Sequence, residues 1–154
     1  MQAIVADTTP LNYLVLIQAA DILPNLYRTV LIPPAVKAEL AHANTPAIVR
    51  AWISQPPPWL EVVSLKLPVD SALALLDAGE REAISLASEL QATLLLMDER
   101  EGVTIARQRG LKVVGTLAAL DIAEPMDSLS CNCHGRGREF ESRRPRHISR
   151  DLFL

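Results

Sequence analysis

Cysteine is nearly absent: the chain has two in 154 residues. Cys131 and Cys133 lie too close together for an ordinary structural disulfide and fall outside the well-patterned part of the chain. With His134 they give three donors and no second pair, where a structural zinc site needs four at suitable spacing. Long apolar runs are missing too. The longest, Tyr13 to Ile17 and Thr93 to Met97, fall far short of the roughly 20 residues that span a bilayer, so no membrane segment is expected. The opening MQAIVAD has no basic region before its first apolar stretch, so it reads as a first strand and not as a secretory signal, and a cytoplasmic protein is expected. No G-x-S-x-G, G-x-x-x-x-G-K-[ST] or G-x-G-x-x-G occurs, which leaves serine-hydrolase and nucleotide-loop chemistry without support. There is no internal repeat.

Basic charge is scarce where the pattern is richest. Residues 1–124 hold nine Lys and Arg against fourteen Asp and Glu, a balance of −5, while residues 125–154 hold six against four, giving +2 and the overall −3. An acidic body does not grip nucleic acid by charge alone, because proteins that do so carry a basic face. Chemistry on nucleic acid would need bound cations or local Arg and Lys.

What is present is 49% hydrophobic sequence of a length that buries about two-thirds of its unfolded surface in one domain. Five segments rich in Val, Ile and Leu read as buried strands: Ala3–Ala6, Thr29–Ile32, Leu60–Val63, Thr93–Met97 and Leu111–Val114. Between them the pattern predicts helices over Pro10–Ala20, with Thr9 as N-cap, and over Pro34–His42. Others follow from Thr45-Pro46 to Ser54, from about Gly79 to Leu90, and from about Glu99 to Arg109, the last ended by Gly110. Pro56 to Pro58 reads as a stiff connector. Strands that are continuously apolar and separated by helices indicate a mostly parallel sheet covered on both faces, an α/β sandwich. Beyond Glu124 no period is sustained. Residues 1–124 are therefore expected to form the domain, and residues 125–154 an atypical tail, disordered or aberrant.

Acidic residues fall at telling places. Asp7 follows the first strand and Asp98 the fourth, and the carboxyl ends of parallel strands share the edge where such folds bind ligands. Glu39 lies in the first two turns of the helix after the second strand, and Glu80 and Glu82 open their own helix. Any one acid at a helix start has an ordinary explanation in the helix dipole. Several together repel one another unless a cation lies among them, and oxygen donors without clustered His or Cys suit Mg²⁺ or Mn²⁺. Such ions polarise a phosphodiester and orient water, so no protein nucleophile is required.

Five pieces in order resemble PIN domains: Ala-Asp-Thr-Thr-Pro-Leu (6–11), Val-Leu-Ile-Pro-Pro-Ala-Val-Lys-Ala-Glu-Leu (30–40), Leu-Asp-Ala-Gly-Glu-Arg-Glu-Ala-Ile (76–84), Leu-Leu-Met-Asp-Glu-Arg (95–100) and Val-Val-Gly-Thr-Leu (113–117). The likeness covers residues 1 to about 122 and is nearest to a prokaryotic subgroup linked with toxin-antitoxin operons. It implies a three-layer α/β/α sandwich and a Mg²⁺- or Mn²⁺-dependent endoribonuclease acting on RNA, with a small antitoxin protein as partner; a homodimer stays open. By resemblance Asp7 is the first acid, Glu39 the second and Asp98 the fourth. The third is Glu80, which has the better spacing to Asp98, or Glu82, which has the better local match; related flap nucleases use both acids of a similar Glu-x-Glu-Ala pattern. Metal ligation is thus expected of Asp7, Glu39, Glu80 and Asp98, with Glu82 assisting catalysis. Thr8 or Thr9 offers a hydroxyl beside Asp7, Glu99 an outer acid or a helix start, and Arg100 an RNA contact or a surface ion pair. The departure from the subgroup is the arginine-rich tail. Phosphatases of the haloacid-dehalogenase type need a second Asp where Thr9 stands, and a receiver domain cannot be assembled from these residues. The rival is a catalytically idle PIN-like RNA-binding or protein-interaction module.

Overall fold

Side-chain alternation along two central strands organises the molecule, which is described here from a computed structural model over residues 3–123. The strands are β1 (Ile4–Ala6), β2 (Val30–Ile32), β3 (Leu60–Val62), β4 (Leu94–Leu96) and β5 (Val113–Val114). They form one all-parallel sheet in the order β3-β2-β1-β4-β5. In β1, Ile4 and Ala6 enter one core while Val5 enters the other. In and just after β4, Leu96 joins the first core, and Leu95 and Met97 the second. Every position of the middle strands is therefore apolar, because each face of the sheet is covered.

The first core is closed by helices α1 (Thr8–Leu16), α2 (Ile22–Tyr27), α3 (Pro34–Leu40), α4 (Ala47–Ser54) and α7 (Thr116–Ala123). They contribute, among others, Leu11, Leu14, Leu23, Val36, Ile53 and Ala119. The second is closed by a 3-10 turn at Ser71–Leu73 and by helices α5 (Ala78–Glu89) and α6 (Arg100–Gln108), through Leu73, Ala83, Ile84, Leu86 and Ala106. The result is the expected three-layer α/β/α sandwich. No helix among the described residues is long and apolar enough to cross a membrane. The expected tail, with its Cys131, Cys133 and His134, lies outside the described residues.

All five expected strands form, each trimmed at its ends. The helices differ more. α1 begins at Thr8, not Pro10, and its N-cap is Asp7, not Thr9. Pro10 is tolerated there because the first four amides of a helix have no intrahelical acceptor to lose. α1 stops at Leu16, where Gln18 turns to a φ of 57°, short of the expected Ala20. Gly110, at φ 79°, follows α6 in the left-handed conformation the sequence implied. α2 and α7 were not foreseen. Six residues of Ile-Leu-Pro-Asn-Leu-Tyr are too few to display a period, and Thr-Leu-Ala-Ala-Leu-Asp-Ile-Ala has no clear polar face.

Candidate active site

The carboxyl edge of the sheet is where β1 turns into α1 and β4 leads toward α6. β1 pairs with β4 through Ile4–Leu94, Val5–Leu95 and Ala6–Leu96, and the amide of Asp7 adds one more rung by donating to the carbonyl of Leu96 at 2.9 Å. Asp7 and Asp98 therefore leave neighbouring strands at the same edge. Asp7 is 2% exposed. Its Oδ1 is buried without a hydrogen-bond partner, a costly state for a carboxylate. Burial pushes its pKa from the ordinary 3.8 up to about 7, the charges of Glu80 and Glu39 push in the same direction, and the nearby amides of Thr8 and Thr9 pull back without forming an aligned bond.

Glu39, on α3, reaches across to two other elements. One oxygen accepts from the hydroxyl of Thr8 and the other from the amide of Gly79 at 2.7 Å. A Cβ on Gly79 would collide with the Glu39 carboxylate, so glycine at this place lets the start of α5 close onto that side chain. Glu80 is the next residue along α5 and is nearly buried. It forms a capping box with Asp77, its Oε2 accepting from the Asp77 amide at 3.3 Å. Its pKa is raised, first by burial and then by the charges of Asp77, Glu99 and Glu39. Glu99 is the N-cap of α6 without a side-chain capping bond, so it stands near enough to act on Glu80 electrostatically.

Asp98 is held from the far side of the sheet. Its Oδ1 accepts from the amide of Thr116 at 2.8 Å and its Oδ2 from the Thr116 hydroxyl. Added to Gly115, a Cβ would stand 2.8 Å from Oδ1, so this approach also depends on a residue without a side chain. Thr116 is the member of the site that sequence reasoning did not single out. Its signals were its position after the last strand, at the same edge as Asp7 and Asp98, and its place in Val-Val-Gly-Thr-Leu (113–117), one of the five pieces of family likeness.

Glu82 is placed differently from the others. Two residues beyond Glu80, its Oε2 accepts from the amide of Ala35 at 2.9 Å, satisfying a free donor in the first turn of α3. Arg100 makes no ion pair among the described residues, where the one salt bridge is Arg109 to Asp70 at 2.6 Å. Asp7, Glu39 and Glu80 thus share an electrostatic neighbourhood, with Asp98 following the strand next to β1 at the same edge of the sheet. Among the described residues, however, no three acidic, His or Cys side chains already converge as a finished cage for a cation. Most of these oxygens are tied to amides and hydroxyls of the fold, and among the described residues the buried one of this group without a partner is Oδ1 of Asp7.

Residues 3–129 match the sequence model of the family described as DUF3368, PIN domain. A PilT N-terminus domain protein from the hyperthermophilic archaeon Sulfolobus solfataricus has a similar solved structure, with a TM-score of 0.57 and 18% identity, the match covering 88% of this chain and 100% of that one. At that identity the likeness speaks for the fold alone. No curated protein matches.

Proposed function

This chain belongs to the PIN-domain family DUF3368 and has its nuclease-like fold, and from that premise we propose that it is a metal-dependent endoribonuclease that uses Mg²⁺ or Mn²⁺. The observation that carries the reading is Asp7: a buried carboxylate with an unpartnered oxygen, facing two further acids. A divalent cation relieves all of that strain at once, since it replaces the missing partner and cancels the mutual repulsion.

The donor set fits such an ion. It is all oxygen, as hard cations require, and it includes no His or Cys that would favour zinc. Asp7, Glu39, Glu80 and Asp98 would hold it, and when bound it supplies Lewis-acid polarisation of the phosphodiester and a more acidic water. The protein's own part is positional. Thr8 and Gly79 fix the Glu39 carboxylate, Thr116 fixes that of Asp98, and the β1–β4 ladder sets the spacing between Asp7 and Asp98. Glu82 accepts from the Ala35 amide, which supports a part for it through α3, with Glu80 taken here as the third acid. The acidic rim repels the phosphate backbone, a repulsion that a cation held by these carboxylates would offset. We further propose, from the family alone, a toxin whose activity is silenced by a small antitoxin protein.

The test is cleavage of RNA with Mg²⁺ or Mn²⁺, compared with EDTA and with Asp7→Asn, each protein first shown to be folded by circular dichroism. Cleavage confined to the parent with metal is expected. Cleavage that survives both controls overturns the mechanism. A folded chain that binds RNA without cutting it under any metal identifies instead the idle binding module.

A further inference from the structure

One wall of the Glu39 side chain opens on a cavity of about 540 Å³ that no step above uses. This volume lies within the range of about 300–1,000 Å³ typical of small-ligand pockets. Thr8 and Glu39 form the end shared with the acidic rim, and the rest is made by Ala35, Ala38 and Ala78 with His42 and Thr45. Among the described residues, no Lys or Arg lines it. With a carboxylate at one end and alanine methyls along the walls, the cavity disfavours an anion and favours a flat, uncharged group.

Two polar residues of the lining each make one hydrogen bond within the fold. The Nδ1 of His42 accepts from the amide of Asn44 at 3.2 Å, so in the neutral ring the proton resides on Nε2 and that nitrogen is a donor. The hydroxyl of Thr45 donates to the backbone carbonyl of Glu39 at 2.8 Å, which leaves its oxygen lone pairs for an acceptor role. A donor, an acceptor and an apolar floor suit a nucleobase, whose edges carry both kinds of group and whose faces stack on a ring such as that of His42.

We propose that this cavity is the subsite for the base of a nucleotide flanking the scissile phosphate, with the His42 ring as its stacking wall, Thr45 as a hydrogen-bond acceptor at its edge and Ala38 as the small residue that keeps it open. The proposal rests on the ribonuclease reading. It assigns the site a preference at one nucleotide position, where the acidic rim alone would cut without regard to bases.

The experiment uses the full chain with Mn²⁺ and a set of short RNAs in which one nucleotide at a time, along the cleaved strand, is made abasic. In the parent, one position beside the cut is expected to lower kcat/KM at least about fivefold when its base is removed, the scale of a lost stacking contact. In Ala38→Trp, which fills the cavity, that penalty is expected to shrink to within twofold, and His42→Ala reduces it in part, with KM moving more than kcat. Thermal unfolding confirms that both variants are folded. Equal cleavage of every abasic RNA by the parent, or a penalty unchanged in Ala38→Trp, overturns the subsite and leaves the nuclease reading intact. Failure of the parent to cut any of the RNAs overturns both.

Discussion

Asp7 costs the fold stability as pH rises, because burial raises its pKa. In the unfolded chain its carboxyl titrates at the ordinary 3.8, whereas in the fold burial holds it near 7. Below the lower value both states are protonated and no penalty exists. As pH rises the fold must either keep the proton or bury a bare charge, so the penalty grows and is complete above about 7. A shift of this size corresponds to something on the order of 4 kcal/mol. In EDTA, Asp7→Asn is therefore expected to match the parent near pH 4 and to exceed it in stability at pH 8, with Mg²⁺ at pH 8 narrowing the difference by stabilising the parent. Urea unfolding at pH 4, 6 and 8 measures this; a variant no more stable at pH 8 would show that Asp7 is better solvated than its burial implies. At this scale the site was partly legible. Asp7 and Asp98 stand out because acids rarely end apolar strands without a reason. Thr116 does not, since a threonine after a short strand has many ordinary uses. Nor does the partner of Glu82, a backbone amide 47 residues away.

Between elements, the chief contact is α3 against α5, and two carboxylates bridge it in opposite directions. Glu39 extends from α3 to the Gly79 amide at the start of α5, while Glu82 extends from α5 to the Ala35 amide at the start of α3. Each carboxylate satisfies a helix-start donor on the other helix, so the pair sets how closely the two starts approach. Glu82→Gln keeps an oxygen acceptor for Ala35 and is expected to retain both stability and any cleavage activity, whereas Glu82→Ala is expected to cost about 1 kcal/mol. Chemical denaturation and the cleavage assay on the same samples decide it: a Gln variant that is stable but inactive would make Glu82 a metal ligand. The three central strands were legible because burial on both faces leaves a continuous apolar run. α1 was misplaced by two residues because its cap is also the last residue of the ladder, a double use that local propensity does not reveal.

At the scale of the molecule, stability comes from two apolar layers separated by one sheet. Leu96, fully buried in the first layer, is expected to cost about 2–5 kcal/mol when cut to alanine. Leu75, 94% exposed, is expected to cost less than about 0.5 kcal/mol when cut in the same way. Urea midpoints compare the two directly, and a Leu96→Ala loss below about 1 kcal/mol would argue against a close-packed layer. The central place of β1 also has a consequence in time. Its two neighbours are supplied by residues 30–32 and 94–96, and the threonine that steadies Asp98 is residue 116. During synthesis, Asp7 emerges before the two strands that flank β1 and before the threonine that steadies Asp98. A chain stalled before β4 would carry Asp7 still open to water and no rim around it, so the acidic edge comes into being only once β4 and Thr116 have been made.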